Sequence, residues 1–254
     1  MRNFKTSILV LVMLLFAFNT AIAQDEQPKM FALHTDNVNF DMLKKYEDLS
    51  KEFKTYCEKY NIQGIDYATY TIEDGRYIYV SSIEKMADLD KSTLGDLDDN
   101  VGKEAFKKLI DEMNTCYDSH SDSVIYYSQN LSYMPEGYST DGKNAREFHF
   151  LYYSPKNAKA MRESIEAIKN LYKTKGVKTG YKIYHSGFGN LESYYMVSIA
   201  GTDELDLAQM SKENDEILGD DRNEVISNLI NLTTKYDQVN GRSRPDLSYY
   251  YKKE

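Results

Sequence analysis

The stretch Tyr181 to Ala200, YKIYHSGFGNLESYYMVSIA, decides the fold because a second version stands upstream at Tyr67 to Ile83, YATYTIEDGRYIYVSSI. Each reads Tyr-x-x-Tyr, then a turn rich in Gly, Asp, Asn or Ser, then a run of Tyr, Ile, Met and Val ending in Val-Ser. That pattern is a β-hairpin, and its recurrence marks a tandem repeat.

Working outward, the same order of elements surrounds both hairpins. Phe31–Val38 and Phe148–Tyr153 suit strands, and amphipathic helices follow. Met42–Tyr60 carries Met42, Tyr46, Leu49, Phe53, Tyr56 and Tyr60 at spacings of three and four, and Asn157–Lys175 carries Met161, Ile165, Ile168 and Tyr172. Asp74-Gly75 supplies the tight turn of the first hairpin. Second helices are expected over Val101–Tyr117 and Arg222–Tyr236, with a short extra helix around Leu205–Leu218, and Ser123–Tyr133 closes the first unit as a strand or strand pair. Leu-Gly-Asp occurs at 94–96 and 218–220, and Leu-Ser-Tyr at 131–133 and 247–249. The division is therefore a signal peptide at 1–23, a first repeat at 24–135, a linker at 136–144 and a second repeat at 145–254.

Strand, helix, hairpin, helix, strand gives an α+β fold of two ferredoxin-like βαββαβ repeats, each with both helices on one sheet face. Taking Val80 and Val197 as equivalent puts Tyr77, Tyr79 and Ser81 on one face, matched by Tyr194, Met196 and Ser198. Neither strand face is charged, so the bare sheets are expected to pack on each other, with Tyr77, Tyr79, Tyr194 and Met196 lining a ligand site between them. Two such units resemble the dimeric α+β barrel family, which includes antibiotic-biosynthesis-type monooxygenases and haem-degrading relatives, here fused as a pseudo-dimeric barrel. The resemblance is topological and spans the mature chain. Haem-degrading members place an Asn, a Trp and a His around the haem; this chain has no Trp, and no residue is carried over.

Arg2 and Lys5, an apolar run over 8–18, and Ala21-Ile22-Ala23 before Gln24 form an export signal, giving a periplasmic or secreted protein without a membrane span. Cleavage takes the formal charge from −9 to about −11, and no basic cluster interleaved with aromatics is present, which disfavours nucleic acid as a partner. Cys57 and Cys116 fall near the carboxyl ends of two antiparallel helices and are expected as buried thiols.

No constellation of residues carries a catalytic signature. Lining up the helices sets His34 opposite Tyr153 rather than His149, His185 sits at a hairpin shoulder, and no histidine pair has a metal-ligand spacing. Asp96-x-Asp98-x-Asn100 has Val101 where a calcium loop needs Gly and Lys107 where it needs Glu. Neither metal nor cofactor is expected. The reading favours a non-enzymatic protein binding an apolar or aromatic small molecule, or a partner protein, among its 23 tyrosines. Two alternatives stand beside it: a cofactor-independent monooxygenase-like enzyme with His149 as the proton acceptor, and a purely structural or envelope-interaction protein.

Overall fold

The computed structural model describes residues 29–90 and 94–252. The expected signal peptide lies outside the described residues. Along the chain run β1 (Met30–Val38), α1 (Leu43–Tyr60), β2 (Ala68–Ile72), β3 (Arg76–Ile83), α2 (Gly95–Val101), α3 (Lys103–Asn114) and β4 (Tyr117–Tyr127). After a loop come β5 (Ala145–Tyr152), α4 (Ala158–Lys175), β6 (Tyr181–Ser186), β7 (Tyr194–Gly201), α5 (Glu204–Leu218), α6 (Asp221–Ile230) and β8 (Lys235–Ser243).

The eight strands close into one antiparallel barrel, in the order β1-β3-β2-β8-β5-β7-β6-β4 and back to β1. The expected face-to-face stacking of two bare sheets takes the form of a single sheet curled on itself. Its seams are hydrogen-bonded edges, β2 with β8 over Tyr70–Ile72 and β4 with β6 over Ile125–Tyr127. Closure pairs the edge N–H and C=O groups that two open sheets would leave bare.

Alternation along every strand sends one set of side chains inward. Phe148, Tyr194, Met196, Ile72 and Ile125 fill the interior, with Phe31, Leu33, Phe150 and Tyr184 packed against them. The other set meets helices on the outside. Tyr46 and Leu49 of α1 and Leu109 of α3 pack on Val38 and Tyr77, while Met161, Ile165 and Ile168 of α4 pack on Leu151, Ile183 and Tyr195. Helix α1 ends where Asn61, at φ 43°, turns its N–H back to the carbonyls of Cys57 and Glu58. Gly75, at φ +95°, turns the first hairpin, and a Cβ on it would lie only 2.8 Å from the Val38 carbonyl oxygen, so no other residue fits there.

Several expected boundaries move. Gly102, also at φ +95°, separates α2 from α3, so the helix expected over Val101–Tyr117 begins at Lys103, stops at Asn114, and leaves Tyr117 to open β4. Helix α6 stops at Ile230, and Tyr236 belongs to β8.

The larger correction is to register. His34 pairs with Tyr79 across β1 and β3, and His149 pairs with Val197 across β5 and β7. The place of Val197 in the second hairpin is therefore that of Tyr79, not of Val80. A slip of one residue flips every side chain to the other face. Tyr77 and Tyr79 accordingly point outward under α1, while Tyr194 and Met196 point into the barrel.

The two Leu-Ser-Tyr triplets cross over. Leu131 and Tyr133 pack in the core beneath α4, with Ser132 Oγ accepting the Ile183 N–H at 2.8 Å. Leu247 and Tyr249 pack beneath α1, with Ser248 Oγ accepting the Thr69 N–H at 2.8 Å. Cys57 and Cys116 are free, buried thiols, as expected. Among the described residues no helix is long and apolar enough to cross a membrane.

Candidate active site

Among the described residues, a cavity lies between the barrel's outer face and its helices on each side of the molecule. The larger, about 780 Å³, is bounded by β1, β3, β4, α1 and α3. Its walls include Phe53, Tyr67, Ile110, Met113 and Tyr117. Its floor is polar and is built by strand geometry. On β1, His34 and Asp36 are two residues apart and share the outer face; across β4, Asp122 stands opposite His34 and His120 opposite Asp36. Four chemistry-bearing side chains thus form a grid on two adjacent strands.

Asp36 is 3 % exposed. Tyr46 donates its hydroxyl proton to Asp36 Oδ2. With that proton committed, Tyr46 can only accept from Tyr79, whose hydroxyl lies 2.9 Å away. The Tyr79 hydroxyl is also 3.1 Å from Ser50 Oγ, which donates to the Tyr46 carbonyl. Donors therefore run from Tyr79 through Tyr46 into Asp36. Burial pushes the Tyr79 hydroxyl up to about 12, so it stays a donor across the neutral range. Asp36 Oδ1, in contrast, is buried and accepts no hydrogen bond.

His34 is the group beside that oxygen. Its Nε2 lies 3.1 Å from Asp36 Oδ1 without the alignment of a hydrogen bond, and its Nδ1 lies 2.8 Å from Asp122 Oδ1. Asp36, and after it Asp122, outweighs burial and raises the imidazole to about 9, so it carries a proton at neutral pH. The His120 ring stands edge-on to His34 at 5.4 Å and stacks on Tyr117 at 6.0 Å.

The second cavity, about 250 Å³, lies under α4, α5 and α6 and is walled by Leu151, Ile165, Val197, Met210, Leu229 and their neighbours. His149 lies at its edge. Its Nε2 is 2.6 Å from Glu147 Oε1, and its Nδ1 is 2.6 Å from the Tyr236 hydroxyl. The Glu147 carboxyl is held below the usual range by its hydrogen bond to His149, against the effect of burial. His149 and His34 occupy corresponding registers, each four residues before the residue that bonds the hairpin loop, Val38 to Gly75 and Tyr153 to Ser193. The expected pairing of His34 with Tyr153 is therefore corrected to His34 with His149. Asp36 has Leu151 at its corresponding place, and His120 has Tyr236.

The four expected ligand-binding residues do not meet. Tyr79 lines the larger cavity and Tyr77 donates to Glu47 at 2.9 Å, while Tyr194 and Met196 are part of the packed barrel interior. His185 is half-buried, stacked on Tyr126 and bonded to Ser128, and burial lowers its pKa. Sequence reasoning missed His34, Asp36, Tyr46 and His120. The His-x-Asp spacing at 34–36 was a visible signal for one strand face, but His120 joins it only through a register that no local pattern reveals.

No family model matches this chain, and no curated protein matches its sequence. Solved structures do match its fold. An anthrone oxidase-like protein superposes with a TM-score of 0.56 at 9% identity, covering 86% of this chain and 92% of its own. A protein named as a monooxygenase from Lactobacillus acidophilus gives 0.51 at 6% identity, over 85% and 94%. A chlorite dismutase variant from Candidatus Nitrospira defluvii gives 0.50 at 11% identity, over 87% and 93%. The likeness is one of fold. The proteins that share this fold carry the names of enzymes, a finding that corrects the expected non-enzymatic binding protein and favours the monooxygenase-like alternative that stood beside it.

Proposed function

We propose that the chain is an exported, monooxygenase-like enzyme that oxidises an aromatic substrate in the cavity beside β1. The observation that carries this is the cavity floor, where Asp36, its Oδ1 buried beside His34 without a hydrogen bond, lines a space of about 780 Å³. A volume of that size suits a molecule of several rings. Phe53, Tyr67 and Tyr117 offer it aromatic walls, and the floor addresses its ionisable end.

The chemistry that such a floor supports is removal of an acidic proton and stabilisation of the resulting anion. Asp36 is the carboxylate of the cavity lining that would take the proton, and the positive charge of His34 offsets the negative charge that appears on the substrate. An electron-rich carbanion or phenolate is the form that reacts with dioxygen. For an activated methylene the balance is CH2 plus O2 giving C=O plus H2O: one oxygen atom enters the substrate and the other leaves as water with both hydrogens. The anthrone oxidase-like neighbour supports a substrate of this kind.

We infer in addition that the chain is a fusion of two ferredoxin-like units, joined through 136–144. Support comes from strand order, β4-β1-β3-β2 in the first part and β8-β5-β7-β6 in the second, and from the matched registers of His34 and His149.

Oxygen uptake with anthrone-type and phenolic substrates tests the reading. Turnover by wild type, lowered at least a hundredfold in Asp36→Asn and untouched by Leu191→Ala on the surface, is the expected result. Loss in His149→Ala with full activity in Asp36→Asn would move the reaction to the apolar cavity under α4, and no uptake by wild type with any such substrate would sink it.

A further inference from the structure

The same floor also has the geometry of a metal site, in which Asp36 Oδ1 and His34 Nε2 would serve as ligands once the imidazole has given up its proton. His34 Nε2 and Asp36 Oδ1 sit 3.1 Å apart, yet the ring nitrogen does not point along a hydrogen bond to the oxygen. The two atoms form an ion pair while the imidazole is protonated, and their separation is also that of adjacent ligands on one ion once it is not. His120 completes the set: one donor atom from each of His34, Asp36 and His120 lies within 4.8 Å of the others. Ligands on one ion with bonds of about 2.1 Å stand roughly 3.0–3.4 Å apart when adjacent and about 4.2 Å when opposite, so a shift of about 0.5–1.5 Å by the exposed His120 ring brings all three into range.

The supporting groups are those a metal site needs. A ligating histidine is oriented when its other ring nitrogen bonds a carboxylate, and His34 Nδ1 stands 2.8 Å from Asp122 Oδ1. A ligating carboxylate is oriented through its second oxygen, and Asp36 Oδ2 accepts from Tyr46, which is fixed in turn by Tyr79. All three ligands project from strands of the closed barrel, so their spacing is set by sheet geometry rather than by a loop.

We propose that His34, Asp36 and His120 bind one divalent first-row transition-metal ion, with the remaining coordination positions open to the cavity. Two imidazoles and one carboxylate favour Fe2+, Mn2+, Co2+ or Zn2+ over Ca2+ and Mg2+, which prefer all-oxygen sites. Three protein ligands with open positions are the arrangement of a reactive centre rather than a structural one. This site rests on the cavity assigned above but replaces its proton-transfer step: with the ion bound, its positive charge takes the place of that of His34 in stabilising a substrate anion, and Asp36 is a ligand rather than the base. The apolar cavity under α4 shows the contrast, since Leu151 and Tyr236 stand where Asp36 and His120 do and leave His149 without the set.

Co2+ is the probe, titrated into chelator-stripped protein and followed by visible absorption and calorimetry in the absence of substrate. One equivalent should bind, with d–d bands showing nitrogen and oxygen ligation. His120→Ala, at an exposed position, should keep the wild-type melting temperature and weaken binding at least tenfold, and Asp122→Asn should weaken it about tenfold through His34. The site is overturned if wild type takes up no Co2+ at millimolar concentration, or if His120→Ala binds as tightly as wild type. Because binding is read without substrate, failure of the oxygen-uptake assay leaves this result intact. A chain that oxidises substrate yet takes up no Co2+ removes the ion alone.

Discussion

Ser248 accepts the backbone N–H of Thr69 at 2.8 Å, a bond between residues 179 positions apart. Its counterpart joins Ser132 to Ile183, so each side of the barrel is finished by a triplet delivered from the other part of the chain. Removing either hydroxyl leaves a buried N–H without a partner. Ser248→Ala and Ser132→Ala should each cost about 1–3 kcal/mol, read as a lower midpoint in urea at unchanged slope.

The same exchange predicts that neither part folds alone. Residues 24–138 lack Leu247 and Tyr249 from the cores under α1, and residues 143–254 lack Leu131 and Tyr133 from the core under α4. Each fragment should show no cooperative melt, and mixing the two should restore one. A fragment with native-like hydrogen-exchange protection would contradict this.

Tyr46→Phe removes one hydroxyl that serves Asp36 and Tyr79 at once. The carboxylate would then be buried with both oxygens unbonded, a loss of about 1–3 kcal/mol in urea unfolding. Tyr79→Phe leaves Asp36 its donor and should cost less than half as much.

Met196 sits in the packed barrel interior at 9 % exposure, so Met196→Ala should cost about 2–5 kcal/mol. Phe188, at 71 % exposure, should tolerate alanine within about 0.5 kcal/mol. Chemical denaturation of both variants separates a filled barrel from a hollow one.

Acid should act through Glu47. Arg244 first, and then the Tyr77 hydroxyl, hold its carboxyl below the usual range. A folded pKa below the unfolded one contributes stability that is present above the unfolded value and disappears as pH falls through the folded value. Glu47→Gln should therefore melt lower than wild type at pH 7, with the gap closing below about pH 4. Cys57 offers a check of burial at the other extreme. Its thiol is pushed up to about 12 by desolvation and should ignore thiol reagents at pH 8 until the chain is unfolded.

Much of the architecture was legible locally. The three-and-four spacing of Tyr46, Leu49 and Phe53 marks α1, and Asp74-Gly75 marks the first turn, because helix faces and tight turns are decided by near neighbours in the chain. Pairing is decided by partners far away. Val-Ser at the end of both hairpins suggested an alignment one residue out, and that slip placed Tyr77 and Tyr79 inside the barrel when they lie outside it. The candidate site was hidden for the same reason. His34 and His120 are 86 positions apart, and only the β1–β4 register makes His120 the neighbour of Asp36.

His34 and His149 hold corresponding registers, yet one looks onto Asp36 and His120 and the other onto Leu151 and Tyr236. A barrel assembled from two identical chains has no such freedom, since any substitution appears on both sides together. Continuity of the chain breaks that symmetry. One flank is free to specialise in reactive polar groups while the other keeps an oily wall, and the aromatic interior between them serves both as a common stiff frame.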